Sequence, residues 1–381
     1  MPEVAEDILA RGQADMVSMA RPLLADPEWV NKARTGRRDE INTCIACNQA
    51  CLDHVFVGRK ASCLVNPRAC AETELNYTPT TAPRRIAVVG AGPAGLACAT
   101  VAAGRGHRVT LIDGATEIGG QFNLAKQIPG KEEFHETIRY FGKRLALTGV
   151  EQRLGARVDA EALLAGGYDE IVIATGIRPR KVDFPGAEHP KVVSYLDVLS
   201  GRVVPGRRVA IIGAGGIGFD VAEYLAHDGP SSSTDTGRWM AEWGVSPDFT
   251  GPGGLAKPAP EALARELWLL QRSPGKPGAK LGKTTGWIHR SALKAKGVQA
   301  WGGVEYLGVD DGGLRVRVDG REQRLPVDHV VVCAGQEPLR ELVDPLQAAG
   351  RNPHLIGGAD VAAELDAKRA IDQGSRLAAT F

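Results

Sequence analysis

The sequence predicts an α/β chain built on two parallel-sheet units, each opened by a glycine-rich turn. After residue 84, short β-branched runs alternate with helical stretches, the pattern of parallel strands joined by crossover helices. A Gly-x-Gly-x-x-Gly turn follows such a run twice, at Gly90 and at Gly213, about 123 positions apart. The 381 residues include 47 glycines against 6 tyrosines and 8 phenylalanines, which favours many tight turns.

Taken in order, Pro2 to Arg11 reads as a short helix, Ala14 to Ala20 as an apolar strand, and Asp26 to Arg34 as a helix opened by Pro27. Residues 41–75 hold the cysteines, and 76–85, with two prolines and three threonines, read as a linker. Arg85 to Val89 is then a strand, Ala94 to Gly104 a helix and Arg108 to Ile112 a second strand, with a further strand at Glu170 to Ala174. Arg208 to Ile212 restarts the same grammar, followed by a helix through Leu225. Residues 228–262 carry Ser231, Ser232, Ser233 and two Gly-Pro steps and predict a loop-rich insertion. Leu267 to Gln271 resumes the strands, short strands follow through Val332, and the chain closes with a strand at His354 to Ile356, a glycine pair and a helix.

The formal net charge is +1 and no run of five like charges occurs, so neither nucleic acid nor an anionic membrane is indicated. Small-molecule nucleotides are the default ligands. The first residues carry Glu3, Glu6, Asp7 and Asp15 with no apolar signal core, which predicts a cytoplasmic setting. Ile86 to Arg105 lacks charge until its last residue, but its glycines and Pro93 make it a turn rather than a membrane span.

In the first turn, Gly90 permits the sharp bend, Gly92 lets backbone approach a pyrophosphate, and Gly95 lets the helix pack close to the strand, with Pro93 and Ala94 opening the helix. Phosphate then meets free N–H groups at a helix N-terminus. Asp113 lies at the end of the next strand, placed to accept from a ribose hydroxyl. The second turn repeats the design with Gly213, Gly215 and Gly218. Arg272 stands there where an NAD site would hold an acid, which favours the 2′-phosphate of NADPH. Alternatively Arg272 merely solvates a strand end, and Lys276, Lys280 and Lys283 could share or replace its role.

Two dinucleotide sites in one chain resemble the flavoprotein disulfide reductase fold, two Rossmann-like domains with FAD in the first and a nicotinamide cofactor in the second. Ala174-Thr175-Gly176 and Ala334-Gly335 match that fold's crossover strands, and Gly357-Gly358-Ala359-Asp360 matches its C-terminal strand-to-helix segment, whose Asp contacts the flavin. The resemblance implies a discontinuous FAD domain, 84–195 and 328–381, around a nicotinamide domain at 196–327.

Seven cysteines, an odd number, argue for metal ligation rather than a disulfide framework. Cys44, Cys47, Cys51 and Cys63 follow a C-x2-C-x3-C-x11-C spacing that suits either a 4Fe-4S cluster or tetrahedral zinc. Beside a flavin and a nicotinamide site, an electron carrier is the more sensible occupant. Cys70, Cys98 and Cys333 stand apart, and Cys98 and Cys333 read as packed hydrophobes. No cysteine pair flanks the flavin motifs, so the disulfide mechanism of the wider fold is missing. His54, His289 and His329 read as satisfied polar residues, and no residue is assigned a catalytic role.

Across the whole chain the sequence resembles the iron-sulfur flavoenzymes that include bacterial NADPH-dependent 2,4-dienoyl-CoA reductase, trimethylamine dehydrogenase and enoate reductase, and in particular the C-terminal part of the first. The residues that carry this are Gly12 to Pro27, the cysteine spacing, Ile118-Gly119-Gly120-Gln121, and Leu281 to Arg290. The resemblance implies that residues 1–40 are the last strand and helix of an FMN-type (βα)8 barrel, that Ala20 and Arg21 meet an FMN phosphate, that 41–83 hold the cluster, and that Gly119, Gly120 and Gln121 line the FAD. It implies electron flow from NADPH through FAD and the cluster to FMN, in β-oxidation of unsaturated fatty acids. Family members begin with a full barrel. FMN and acyl-CoA binding are therefore expected only where that barrel is supplied, and a truncated gene, or a split protein completed by a second chain, is expected. Other readings are an enoate or amine substrate for the same architecture, and a non-catalytic ADP-binding scaffold.

Overall fold

The computed structural model describes residues 1–363 and 366–381; residues 364 and 365, inside the C-terminal block, lie outside the described residues. The chain divides into two units. The first comprises Met1–Asn123, Glu133–Arg178 and Gln336–Phe381, and the second Leu124–Glu132 and Pro179–Gly335.

In the first unit, Arg85–Val89 (β1), Arg108–Asp113 (β2), Glu151–Leu154 (β3) and Glu170–Ile173 (β4) join His354–Leu355 in one parallel sheet, ordered His354–Leu355, β4, β1, β2, β3. Ile86 to Val89 are all buried, the unbroken apolar run of a strand covered on both faces. The helix Pro93–Gly104 (α1) is apolar almost all round and therefore lies inside, with Leu96, Cys98 and Ala99 fully buried. The C-terminal helix Ala367–Thr380 crosses it closely: a Cβ on Gly374 would stand 2.2 Å from the Ala94 carbonyl oxygen. The helix Phe134–Thr148 (α2) buries Phe141 and Leu145, spaced four apart, and ends at Gly149 with φ +70°, a left-handed cap.

The amino-terminal region differs from expectation. Residues 14–20 form no strand, and Met16 is 80% exposed. A barrel strand takes its hydrogen bonds from neighbours on both sides, and among the described residues it has neither. The expected helix at 26–34 begins only at Trp29 (Trp29–Arg34), and an unexpected short helix covers Arg21–Ala25, with Asp26 turned inward between them. Its carboxylate is 4% exposed, accepts from the Asn42 amide at 2.8 Å and pairs with Lys32 at 2.6 Å.

The second unit carries Val192–Ser194 (β5), Arg208–Ile212 (β6), Glu266–Leu270 (β7), Gln299–Trp301 (β8), Glu305–Asp310 (β9), Gly313–Val318 (β10), Arg321–Leu325 (β11) and His329–Val332 (β12). A five-stranded parallel sheet runs β5, β12, β6, β7, β8. The antiparallel meander β9, β10, β11 shares a core with one face of it, where Trp268 and Ile212 join Leu314 and Val316. On the other face the helices Gly216–Ala226 (α3) and Gly286–Ala295 (α5) contribute Phe219, Leu225 and Leu293 to a second core, with Ile128 in the same cluster. Within the insertion, Thr236–Trp243 (α4) is a helix capped by the Asp235 carboxylate and ended by Gly244 at φ +67°.

The unit boundaries fall elsewhere than the sequence reading set them. β12, expected with the first unit over 328–381, is hydrogen-bonded between β5 and β6, since its run of valines is buried on both faces and needs two strand neighbours. Residues 179–195, expected in the first unit, also belong to the second, as does the excursion 124–132. No helix among the described residues is long and apolar enough to cross a membrane.

Candidate functional site

The first glycine turn lies between β1 and α1. Gly90 has φ +115°, and a Cβ there would stand 2.3 Å from the Ala174 oxygen. A Cβ on Gly95 would stand 1.8 Å from the Gly90 oxygen. The protein itself thus requires glycine at both positions. Around Gly92, by contrast, nothing stands within 4 Å of where a Cβ would be, so no packing reason for glycine exists there. The open side faces the place where a pyrophosphate would meet the first turn of α1.

Other predicted residues gather at this turn. Gly119 donates its N–H to the Ala91 oxygen at 2.8 Å, and a Cβ on Gly120, at φ +52°, would stand 2.9 Å from the Gly92 Cα. Gln121 is exposed beside them. Asp113 accepts from the Ala91 amide at 2.6 Å and the Ala115 amide at 2.7 Å, so it braces the turn. Each oxygen keeps lone-pair capacity for a hydroxyl. Pro93 occupies the first turn of α1, and Ala94 is touched from the far side by Gly357, whose Cβ would stand 2.8 Å from the Ala94 Cβ. Gly358 is buried there. Asp360 is held by Gln373 at 2.6 Å and does not start the final helix, which Asp366 caps. Thr175 donates to the Leu339 oxygen at 2.6 Å, and Gly176, at φ +79°, accepts from the Leu339 amide.

The second turn, between β6 and α3, has the same pattern. Gly213 is at φ +108°, with a would-be Cβ 2.8 Å from the Cys333 oxygen, and one on Gly218 would lie 1.7 Å from the Gly213 oxygen. Gly215 has nothing within 4 Å, and neither does Gly216. Arg272 is exposed two residues past β7 and pairs with no carboxylate among the described residues. Gly335 is at φ +86°, and a Cβ there would stand 3.1 Å from the Arg180 guanidinium. Burial raises the thiol of the partly covered Cys333 above the usual range, as full burial raises Cys98 to about 12.

In the first unit the four predicted cysteines, 44, 47, 51 and 63, line one small pocket together with Leu24, Ile45, Leu64 and Val65. The loop curls through left-handed conformations at Ala46 (φ +54°) and Asn48 (φ +59°), which turns successive cysteines to one side. Burial pushes the Cys47 thiol up to about 11 and the Cys63 thiol to about 12. Among the described residues no three His, Cys, Asp or Glu side chains converge closely enough to hold a single ion. Arg21 reaches this wall, its Nη1 donating to the Asn48 Oδ1 at 2.6 Å, and Ala20 precedes its short helix. Residues 14–20, which lead into them, form no strand.

The three histidines singled out by sequence are satisfied. His54 contacts the Lys60 oxygen, His329 accepts from the Gly206 amide, and His289 pairs with Glu223 at 2.6 Å. The sequence reading passed over Asp220 and Glu223 on α3, which pair with Lys131 and His289.

The family model described as pyridine nucleotide-disulphide oxidoreductase matches residues 84–358. The chain belongs to this family. A second family, NADH:flavin oxidoreductase / NADH oxidase, matches residues 1–40, so the amino-terminal segment is a partial remnant of that barrel. The metal reductase of Desulforamulus reducens is 36% identical over 365 residues, covering 94% of this chain and 53% of its own. The cinnamate reductase of Clostridium sporogenes is 34% identical over 364 residues, covering 94% and 49%. The structure of a 2-naphthoyl-CoA reductase with 2-naphthoyl-CoA matches with TM-score 0.86 and 28% identity over 100% of this chain and 53% of its own. The chain spans about half the length of the curated relatives it matches. At the level of an NAD(P)H- and flavin-dependent oxidoreductase chain, the expectation from sequence stands.

Proposed function

We propose that this chain is the electron-transfer half of an NADPH-dependent 2,4-dienoyl-CoA reductase acting on unsaturated fatty acyl thioesters. The observation that carries the reading is the pair of cradles, each with a central glycine that its own unit does not require, in a chain that also walls a cavity with four cysteines.

Gly90 to Gly95, Asp113, Gly119, Gly120, Gly358 and Asp360 are the residues to hold FAD. Gly213, Gly215, Gly218 and Arg272 are those for NADPH, and the four cysteines those for a 4Fe-4S cluster. When bound, FAD supplies a two-electron hydride acceptor, and a cluster supplies a one-electron carrier. The first turns of α1 and α3 present N–H groups to phosphate, and Arg272 offers a bidentate guanidinium to a 2′-phosphate. Leu24, Ile45, Leu64 and Val65 give the cysteines apolar neighbours. Zinc is less well suited, because it has no redox chemistry to offer beside a flavin and a nicotinamide site.

The acceptor is proposed to be FMN in a barrel completed by a further segment or a second chain, located in the cytoplasm. A conjugated CoA thioester agrees with the ligand named in the 2-naphthoyl-CoA reductase structure. The cinnamate reductase relative favours an enoate as the second reading.

The test is an anaerobic absorption spectrum with iron, sulfide and flavin analysis, before and after NADPH. About four irons per chain, FAD and a flavin band bleached by NADPH support the proposal. A colourless or zinc-loaded protein overturns it. Steady-state reduction of dienoyl-CoA by this chain alone would refute the assignment as one half.

A further inference from the structure

The small pocket walled by Cys44, Cys47, Cys51 and Cys63 has one charged side chain among the described residues that line it, Arg21. Arg21 opens the short helix Arg21–Ala25, three residues before Leu24, so the two share a face, and Leu24 lines the same pocket. That helix is fixed in place. Ala25 is 2% exposed, and the Nδ2 of Asn66, three residues beyond Cys63, donates to the Leu24 oxygen at 2.9 Å. The far end of the Arg21 side chain is fixed too. Its Nη1 donates to the Asn48 Oδ1 at 2.6 Å, and Asn48 stands between Cys47 and Cys51 at φ +59°, with its own backbone oxygen accepting from the Asp53 amide at 3.0 Å.

An amide oxygen carries no formal charge, so Asn48 orients the guanidinium without neutralising it. Asp26, just past the same helix, is already paired with Lys32 at 2.6 Å, and Arg21 has no carboxylate within ion-pair distance among the described residues. An exposed arginine tied to a neutral amide is by itself ordinary. This one stands in the wall of a pocket whose other lining groups are thiols and uncharged side chains.

We infer that Arg21 raises the reduction potential of the four-iron cluster, its guanidinium, positioned by Asn48, favouring the reduced form. This rests on the reading of the four cysteines as cluster ligands. Reduction adds one electron, and no bond forms or breaks. The reduced cluster therefore carries one more negative charge in the same place, and a fixed positive charge beside it stabilises it more than the oxidised form. Because Arg21 is exposed, dissolved salt screens the effect.

The experiment is an anaerobic redox titration of the full chain, followed by electron paramagnetic resonance of the reduced cluster. Wild type, Arg21→Gln, Arg21→Lys and Asn48→Gly are compared, with iron and sulfide measured on each. Arg21→Gln is expected to lower the midpoint potential by about 59 mV at low salt, a tenfold change in a one-electron equilibrium, and the difference should shrink at high salt. Arg21→Lys should return most of it. Asn48→Gly keeps the left-handed turn and removes only the tether, so it should lower the potential by less, and should add nothing in the Arg21→Gln background. A merely structural Arg21 would alter iron content or melting temperature and leave the potential of the remaining clusters unmoved, and that result overturns the inference. If Arg21→Gln holds no cluster, Asn48→Gly decides, and a wild-type potential there overturns it as well. A wild type without iron and sulfide fails the cluster reading itself, whereas about four irons per chain with an unshifted potential leave that reading intact and remove only the role of Arg21.

Discussion

Alanine at Gly215 and alanine at Gly218 should fail in opposite ways. Gly215 has φ −87° and ψ −168°, an extended conformation open to any residue, and no atom lies within 4 Å of its would-be Cβ. Gly215→Ala should therefore fold, with stability changed by less than about 1 kcal/mol. The methyl would instead stand where the nucleotide approaches and cost about one charge-assisted hydrogen bond, near 2 kcal/mol, or a loss of about thirtyfold in NADP+ affinity. At Gly218 the would-be Cβ is 1.7 Å from the Gly213 oxygen, about half an ordinary contact distance, so α3 must part from β6. Forced separation in a packed core costs about 3 kcal/mol, which lowers the melting temperature by roughly 6–12 °C. Calorimetric titration and thermal unfolding on both variants read these effects directly. The reasoning is refuted if Gly215→Ala binds NADP+ as the wild type does, or if Gly218→Ala melts as the wild type does.

Cys63→Ser should drop iron from about four per chain to below one while NADPH still bleaches the flavin, as iron assay and absorption spectra would show. Asp26→Asn should destabilise the amino-terminal region by about 3 kcal/mol, because Lys32 loses its buried partner; hydrogen exchange over residues 21–42 would rise. The hydrogen bond that His289 donates to the Glu223 carboxylate raises its pKa above the ordinary imidazole value. A raised folded-state pKa gives stabilisation that is complete below the unfolded value, near 6.5, and lost as pH rises through the folded value. The wild type should thus lose a small increment of stability as pH rises above that unfolded value, and Glu223→Gln should remove that pH dependence in denaturation curves.

The alternation of strand and helix was legible because parallel strands buried on both faces leave unbroken β-branched runs, as at Ile86 to Val89 and Val209 to Ile212. The glycine turns were legible because both their outer glycines answer a steric demand set by neighbours close in sequence and one returning strand. β7 was placed within one residue, Glu266–Leu270 against the expected 267–271. What escaped depends on distant partners. Residues 14–20 have the composition of a strand, but a strand is a property of its neighbours, and composition cannot supply them. The pairing of Lys131 with Asp220 joins positions 89 apart, and nothing local to either residue announces it. β12 was assigned to the wrong unit for the same reason, since its valines fit equally well in either sheet. The helix Thr236–Trp243 is different. Asp235 and Gly244 are ordinary start and stop signals, and the surrounding serines, prolines and glycines outweighed them.

The excursion of residues 124–132 bears on how such chains can be recombined. A second unit excised as one continuous stretch from 179 to 335 would lack Ile128, which is 1% exposed in its core, and Lys131, the partner of Asp220. Grafting this unit between relatives as a cassette therefore has to carry a nine-residue passenger encoded well upstream of it. A crossover placed only at the two outer boundaries would leave a void the size of an isoleucine side chain and an unmatched carboxylate on the helix that begins at Gly216. Inheritance of the second unit is coupled to this short upstream thread.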